Sequence, residues 1–251
     1  MNEFFLRLNA NKTKIMVIAP PSVKSEIPIN GTVIDGECIR FVDSAKNLGI
    51  VLDSGLSFTL QINKVVSSCL LTIRNISRIK KFLNVQQLKT LVCTLIFSKL
   101  DYCNSLYYGL NAELINKLQV VQNSALRVIY GINRYDRIST TPLFTKLHWL
   151  KIRERIIFKV LLIVYKCQMG QAPHVIRNML QLSLSDRTKK LACKPSMSKY
   201  GDRSFSVTAP KLWNALPQHI RQEATVTKFK KNLKSFLMTD YQTYLQVVNM
   251  K

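Results

Sequence analysis

Acidic residues are scarce in this 251-residue chain, which holds 14 Asp and Glu against 37 Lys and Arg and has a formal net charge of +23. The imbalance is confined to the later part, because residues 1–60 contain six residues of each sign, whereas 31 basic and 8 acidic residues follow. Concentrated positive charge is typical of a protein that binds a polyanion. Nucleic acid is the first candidate partner and an anionic membrane surface the second.

Closely spaced cysteines and long apolar runs are also absent. The six cysteines stand singly, without a C-x-x-C pair, which excludes a zinc knuckle. No apolar run approaches the ~20 residues of a membrane span, and the first residues lack the layout of a signal peptide. The sequence therefore predicts an intracellular protein, nuclear or cytoplasmic, that is not secreted. Because nucleic acid is the preferred partner, we expect neither a membrane partner nor a small-molecule substrate.

Hydrophobic periodicity predicts two consecutive helices over residues 84–131, the first of them ending at Gly109. Asn84 followed by Gln87 is a near capping box at the start of that first helix. Further helices are predicted over residues 57–83, 142–170, 211–216 and 227–237.

Two local patterns concern proline and aromatic residues. Pro210 fits the first turn of the short helix 211–216, in which Trp213 is predicted to be a buried anchor. His148 stands beside Trp149 with no carboxylate or nucleophile near it in the sequence. We therefore interpret His148 as a structural residue rather than an acid–base group.

Turn dipeptides predict a small β region before the helices. Asn30-Gly31 and Asp35-Gly36 are strong hairpin signals. They accompany short strands predicted over residues 14–18, 27–29, 32–34, 38–42 and 48–52. Together the patterns predict a mainly α fold with a small N-terminal β-hairpin or α+β part.

Basic residues recur at helical spacing in two places. Lys64, Arg74, Arg78 and Lys81 fall close to one face of the predicted helix 57–83. A second row, in i, i+4, i+8 spacing, consists of Lys151, Arg155 and Lys159. Such rows can follow a phosphate backbone and release counterions. The alternative interpretation is a solvated helix face.

Several strings resemble one protein family. Residues 98–109 (Ser-Lys-Leu-Asp-Tyr-Cys-Asn-Ser-Leu-Tyr-Tyr-Gly) and 118–127 (Leu-Gln-Val-Val-Gln-Asn-Ser-Ala-Leu-Arg) resemble the region after the polymerase palm in non-LTR (LINE-type) retrotransposon reverse transcriptases, most closely a jockey-like branch. Residues 147–159 and 200–217 resemble later parts of the same proteins. These matches lie in the expected order along nearly the whole chain.

The resemblance implies a division of the chain into parts. The string around Lys12 is similar to motif D, and residues 46–53 resemble motif E, the primer-grip hairpin. The implied parts are a remnant of the palm (1–55), a thumb-like helical bundle (56–135), a helical connection (136–182), and a basic linker with a C-terminal helical region (183–251).

The catalytic part of such a polymerase is missing from this sequence. There is no Tyr/Phe-x-Asp-Asp string, and nucleotidyl transfer needs clustered carboxylates that hold two metal ions. Asp35 and Glu37 are better explained by a turn. We therefore expect a truncated copy that does not polymerise alone and has no cofactor, since Mg²⁺ would need the absent aspartates. Lys12 could act only beside a palm.

Three hypotheses follow. In the first, the chain binds RNA or an RNA–DNA duplex without catalysis. In the second, it works in trans with a separate palm-bearing polypeptide, because an incomplete sheet offers edges for pairing. In the third, it is an inert transposon relic or has been reused as a protein-interaction domain.

Overall fold

The computed structural model describes residues 9, 12–19, 21–24, 26, 31–34, 36–133, 135–181, 189–196, 198 and 200–249. The protein is mainly α-helical, with two small antiparallel two-stranded sheets near its N-terminus, which confirms the predicted fold class. The chain divides into two compact units, unit 1 (Met1–Ser68) and unit 2 (Cys69–Lys251). The boundary falls within one continuous helix. The four-part division by family resemblance stays a prediction.

Most of the regular elements are short, and four of the described helices exceed ten residues. The strands are β1 (Gly31–Ile34), β2 (Glu37–Arg40), β3 (Ser44–Asn47) and β4 (Ile50–Asp53). The helices are α1 (Pro21–Lys24), α2 (Thr59–Ile79), α3 (Val85–Val92), α4 (Ser98–Asp101), α5 (Ala112–Ile129), α6 (Thr141–Lys146), α7 (Ile152–Gln168), α8 (His174–Asn178), α9 (Phe205–Asn214), α10 (Gln218–Arg221), α11 (Val226–Thr239) and α12 (Tyr241–Asn249).

Unit 1 contains two β-hairpins. β1 pairs with β2 and β3 pairs with β4, each across a two-residue connection. Gly36 (φ 82°), Leu48 (φ 45°) and Gly49 (φ 86°) adopt the left-handed backbone that such tight turns require. The carboxylate of Asp53 accepts the backbone N–H groups of Ser57 and Phe58, both at 2.8 Å, and so links β4 to the start of α2.

The strand predictions are confirmed on both sides of the Asp35-Gly36 turn, whereas Gly31, predicted to lie in a turn, is the first residue of β1 and pairs with Arg40. The strands predicted at 32–34, 38–42 and 48–52 are β1, β2 and β4, with their ends displaced by one or two residues. β3 was missed because Ser-Ala-Lys-Asn has low β-propensity. The strand predicted at 14–18 is wrong, since only Ile15 forms a bridge there, with Phe41. The strand predicted at 27–29 lies outside the described residues.

Helix α7 forms the centre of unit 2, where it packs against α5, α9 and α11. Its buried residues are spread around the helix, as expected for an element enclosed by others. In the core that it shares with α9 and α11, the Tyr165 and Phe229 rings stack with centroids 4.1 Å apart. Trp213 lies 5.9 Å from Phe229 and is fully buried, which confirms it as an anchor.

The helix predicted over residues 84–109 is right at its start and wrong at its end. Asn84 and Gln87 form the predicted capping box, with each side chain accepting the other's backbone N–H at 2.9 Å. A π turn at Cys93–Phe97 follows α3, and the helix stops at α4. It stops there because Tyr102 is extended (ψ 116°) and Cys103 is left-handed (φ 52°). Because the apolar periodicity of the sequence continues through this break, the pattern predicts one uninterrupted helix.

Two other helix predictions need correction. The helix predicted over 142–170 is divided into α6 and α7 because His148 adopts a left-handed backbone (φ 51°). Pro210 lies inside α9 rather than in its first turn, since that helix begins at Phe205. Pro210 therefore leaves the carbonyl of Ser206 without its helical N–H donor. The helices predicted at 57–83 and 227–237 are confirmed as α2 with its following 3-10 turn and as α11.

None of the described helices combines the length and the apolar character needed to cross a bilayer.

Candidate nucleic-acid interface

Four of the predicted nucleic-acid contacts come from α2 and the turn after it. Lys64, in unit 1, is exposed. Arg74, Arg78 and Lys81, in unit 2, are also exposed, and none of these three forms an ion pair with another described residue. Arg74 and Arg78 are one turn apart and therefore lie one above the other on the helix. The ammonium group of Lys81 lies 4.9 Å from the centroid of the Phe82 ring.

The second predicted row, on α7, is used differently. Lys151, Arg155 and Lys159 are each half-buried. Lys151 is the N-cap residue of α7, and its backbone N–H donates to the carboxylate of Glu154 at 2.7 Å. The guanidinium of Arg155 is engaged within the fold. The structure therefore does not present these three cations as one exposed row.

Arg155 forms a two-pronged ion pair with Asp101. Its Nε donates to Asp101 Oδ1 at 2.8 Å, and Nη2 contacts Oδ2. The guanidinium also lies 4.5 Å from the centroid of the Phe97 ring, which packs edge-on against Trp149. Paired, planar contacts of this kind fix orientation as well as contributing energy. Asp101 is thus a structural residue that holds α4 against α7.

Two further cations lie near this ion pair. Burial raises the pKa of the Cys93 thiol, while the charges of Arg155, Lys89 and Lys234 oppose that shift. Burial lowers the pKa of Lys234, and the neighbouring charges of Arg155 and Lys89 lower it further. Cations from α3, α7 and α11 therefore lie within electrostatic range of one another, a grouping that no spacing in the sequence indicates.

A groove runs between the C-terminal halves of α2 and α5, and we call it the α2–α5 groove. Its volume is about 670 Å³. Arg74, Lys80 and Arg127 line it together with hydroxyl groups and aliphatic side chains. Neither Arg78 nor Lys81 is among the lining residues. Of the predicted row on α2, only Arg74 lines this groove. Two cations outside that row, Lys80 and Arg127, line it as well.

The described residues offer little for metal or nucleophilic chemistry. They contain no group of three or more His, Cys, Asp or Glu side chains that could hold a metal ion. Burial raises the pKa of Cys69 to about 11, so its thiol stays protonated near neutral pH. The motif D-like Lys12 is exposed, and its backbone N–H donates to the Asn9 carbonyl at 3.0 Å.

No protein-family model, curated protein or solved structure matches this chain.

Proposed function

We propose that the chain binds nucleic acid, either RNA or an RNA–DNA duplex, and does not polymerise by itself. The observation that carries the proposal is the exposed series Arg74, Arg78 and Lys81, which has no carboxylate partner among the described residues. Unpaired cations on successive helix turns can neutralise successive phosphates. The net charge of +23 also favours a polyanionic partner, because it attracts negative charge to the molecule as a whole.

The resemblance to non-LTR retrotransposon reverse transcriptases supports this proposal. Asp101 belongs to one of the strings that carry the resemblance and Arg155 to another, and the two residues form an ion pair. The similar strings therefore include residues that the fold uses. As part of the proposal, the chain is related to the region after the palm of these polymerases, where a thumb holds template and primer.

The test is a salt titration with a labelled RNA hairpin and a labelled RNA–DNA duplex. If about six phosphates are neutralised, the logarithm of the binding constant should fall against the logarithm of salt concentration with a slope near −5. The variant Arg74→Glu, Arg78→Glu, Lys81→Glu should reduce the magnitude of that slope by about three, since each lost phosphate contact removes about one.

The matched control places the same charge change on α11, through Lys228→Glu, Lys230→Glu and Lys231→Glu, all at exposed positions. This variant should keep a slope closer to that of the unmodified protein. Equal losses in the two variants would mean that only total charge matters. Weak binding of the folded, unmodified protein at every salt concentration would refute the proposal.

The hairpins of unit 1 support a second candidate, in which the chain works beside a separate palm-bearing polypeptide. Each sheet in the described residues has only two strands, so each strand presents one edge that another strand could extend. Such a polypeptide should co-purify with the chain. Replacement of Val33, which is 66% exposed on β1, by proline should weaken that association if β1 is the pairing edge.

A further inference from the structure

The α2–α5 groove combines a cationic rim with an aliphatic floor. Ile73 is 8% exposed and Leu70 is 43% exposed, and both line the groove with Val128 from α5. The floor is therefore apolar but open to solvent. A surface cleft of several hundred Å³ with a few polar groups at its edge is the usual form of a ligand site.

The rim cations face no carboxylate in the groove. Arg74 and Lys80 are exposed and form no ion pair with the described residues. Arg127 donates from Nη1 to the Asn133 carbonyl at 2.9 Å and from Nη2 to the Ile138 carbonyl at 2.9 Å. Arg127 Nη1 also donates to the Asp136 carbonyl at 3.1 Å, so three neutral carbonyls fix its position, and Arg127 forms no ion pair with the described residues.

Asp136 contacts Arg127 through its backbone carbonyl, and its side chain has a different partner. The carboxylate of Asp136 accepts the backbone N–H of Asn133 at 2.9 Å, and Asp136 does not line the groove. The hydroxyl of Ser77 lines the groove from α2. The groove thus offers three cations and the hydroxyl residues Ser77 and Ser124 beside an apolar floor, with no acidic side chain among the described lining residues.

These features fit an unpaired nucleotide better than a duplex. A duplex keeps its bases stacked inside and presents phosphates, so it would leave the aliphatic floor unused. An unpaired nucleotide carries a phosphate for the rim and a flat, weakly polar base face for the floor. Proteins that bind single strands combine cationic grooves with such apolar contacts, usually to aromatic rings. Here aliphatic side chains take the place of rings.

We propose that the α2–α5 groove binds unpaired nucleotides of a single strand, with phosphate on Arg74, Lys80 and Arg127 and a base against Leu70, Ile73 and Val128. This inference rests on the proposed nucleic-acid binding and adds a strand preference to it. It also divides the cations of α2 and of the turn after it between two tasks. Arg74 and Lys80 serve the groove, while Arg78 and Lys81, which are exposed and do not line it, remain for contact with the nucleic-acid backbone.

The experiment uses the full chain with labelled oligo(U), oligo(dT) and an RNA–DNA duplex of equal length. Leu70→Asp places a carboxylate on the groove floor, and Leu71→Asp places one on the neighbouring side chain, which is 60% exposed and outside the groove. Leu70→Asp should weaken single-strand binding at least about fivefold, within the range of one lost base contact. Leu71→Asp should leave it within twofold, and duplex binding should respond equally to both variants.

A second pair of adjacent variants tests the rim. Lys80→Gln should lower single-strand affinity more than Lys81→Gln does, although each variant removes one positive charge. Circular dichroism spectra confirm that every variant is folded. Oligo(U) and oligo(dT) differ in the ribose 2′-hydroxyl and in the thymine methyl group, so equal affinities would show that the groove requires neither and takes any single strand.

The outcomes separate this inference from the proposed function. If nucleic acid binds but Leu70→Asp and Leu71→Asp behave alike, the groove inference is overturned and the proposed function stands. If neither strand type binds, both fail. If poly-glutamate of matched charge displaces oligo(U) as well as unlabelled oligo(U) does, the groove is a site for acidic protein segments, and the nucleotide assignment is wrong.

Discussion

At the scale of single residues, the guanidinium of Arg155 serves the fold. Replacing Arg155 by methionine keeps most of the side-chain volume but leaves Asp101, 33% exposed, without its cation. Hydrogen bonds to charged groups contribute about 1.5–3 kcal/mol. We therefore expect Arg155→Met to lower the free energy of unfolding by about 2 kcal/mol, measured by urea denaturation.

Lys159→Met is the control for this prediction because Lys159 lies one turn further along α7 and forms no ion pair with the described residues. Its effect should stay within about 0.5 kcal/mol, as is usual at positions away from specific contacts. A similarly small effect of Arg155→Met would show that the ion pair does not stabilise the fold.

The positions of some cations of the candidate site could be predicted from the sequence alone, and those of others could not. Arg74, Arg78 and Lys81 could be predicted as exposed, because the apolar positions of α2 fix the opposite face of that helix and of the turn that continues it. The role of Arg155 could not be predicted, because its partner stands 54 residues earlier in the chain. Lys80 belongs to the groove only because α5 lies opposite. Spacing describes one helix face, whereas a site also depends on the element that faces it.

At the scale of elements, the first turn of α7 is capped by the side chain of Glu154, which can ionise. Glu154 accepts the Lys151 N–H at 2.7 Å, and burial raises the pKa of Glu154 above its ordinary 4.5, against the opposing effect of Lys151. The folded state therefore holds this proton more tightly than the unfolded state does. The contribution of Glu154 to stability is complete below pH 4.5 and is lost as pH rises through the folded-state pKa.

Glu154→Gln keeps an acceptor for the cap and removes the ionisation. We expect the variant to be more stable than the unmodified protein at pH 7, with the difference shrinking at pH 4. Urea midpoints at the two pH values measure this change. A difference of equal size at both pH values would mean that ionisation of Glu154 has no part in it. Glu154→Ala, which also removes the acceptor, should cost about 1 kcal/mol.

Elements were predictable where a local signal defined their ends. The Asn84 capping box and the Gly36 turn are of this kind. The break at Cys103 was not predictable, because its left-handed backbone occurs at a residue with no intrinsic preference for it, within continuous apolar periodicity. The ion pair of Asp101 with Arg155 and the hydrogen bond that Asn104 Nδ2 donates to Asp101 Oδ1 across the break compensate for that local cost.

At the scale of the whole molecule, α7 links the parts of unit 2. Leu161 is fully buried at the middle of this helix. Leu161→Ala should cost about 2–5 kcal/mol through lost burial and an unfilled cavity. Because α7 packs against α5 as well as α9 and α11, we expect the loss to destabilise both sides together.

The two tryptophans provide separate reporters for that test. Trp149 packs against Phe97, and Trp213 lies near Phe229. In single-tryptophan variants made by Trp→Phe exchange, fluorescence melts should show one shared midpoint that moves equally with Leu161→Ala. Two midpoints would mean that the sides unfold independently. A broad transition without a clear midpoint would favour the alternative of an inert relic that folds poorly.

The π turn at Cys93–Phe97 makes the helical run from α3 to α4 sensitive to chain length. Such a turn holds one residue more than a regular helix of the same extent. Loss of one codon within the turn would restore regular winding and keep the present phase, whereas loss of one codon in the regular winding beside it would rotate everything before it by about 100° relative to Asp101. A single-residue deletion inside Cys93–Phe97 should therefore keep the Lys89 face beside the Asp101–Arg155 pair, whereas the same deletion elsewhere in the run should separate them while every one of those residues stayed in the gene.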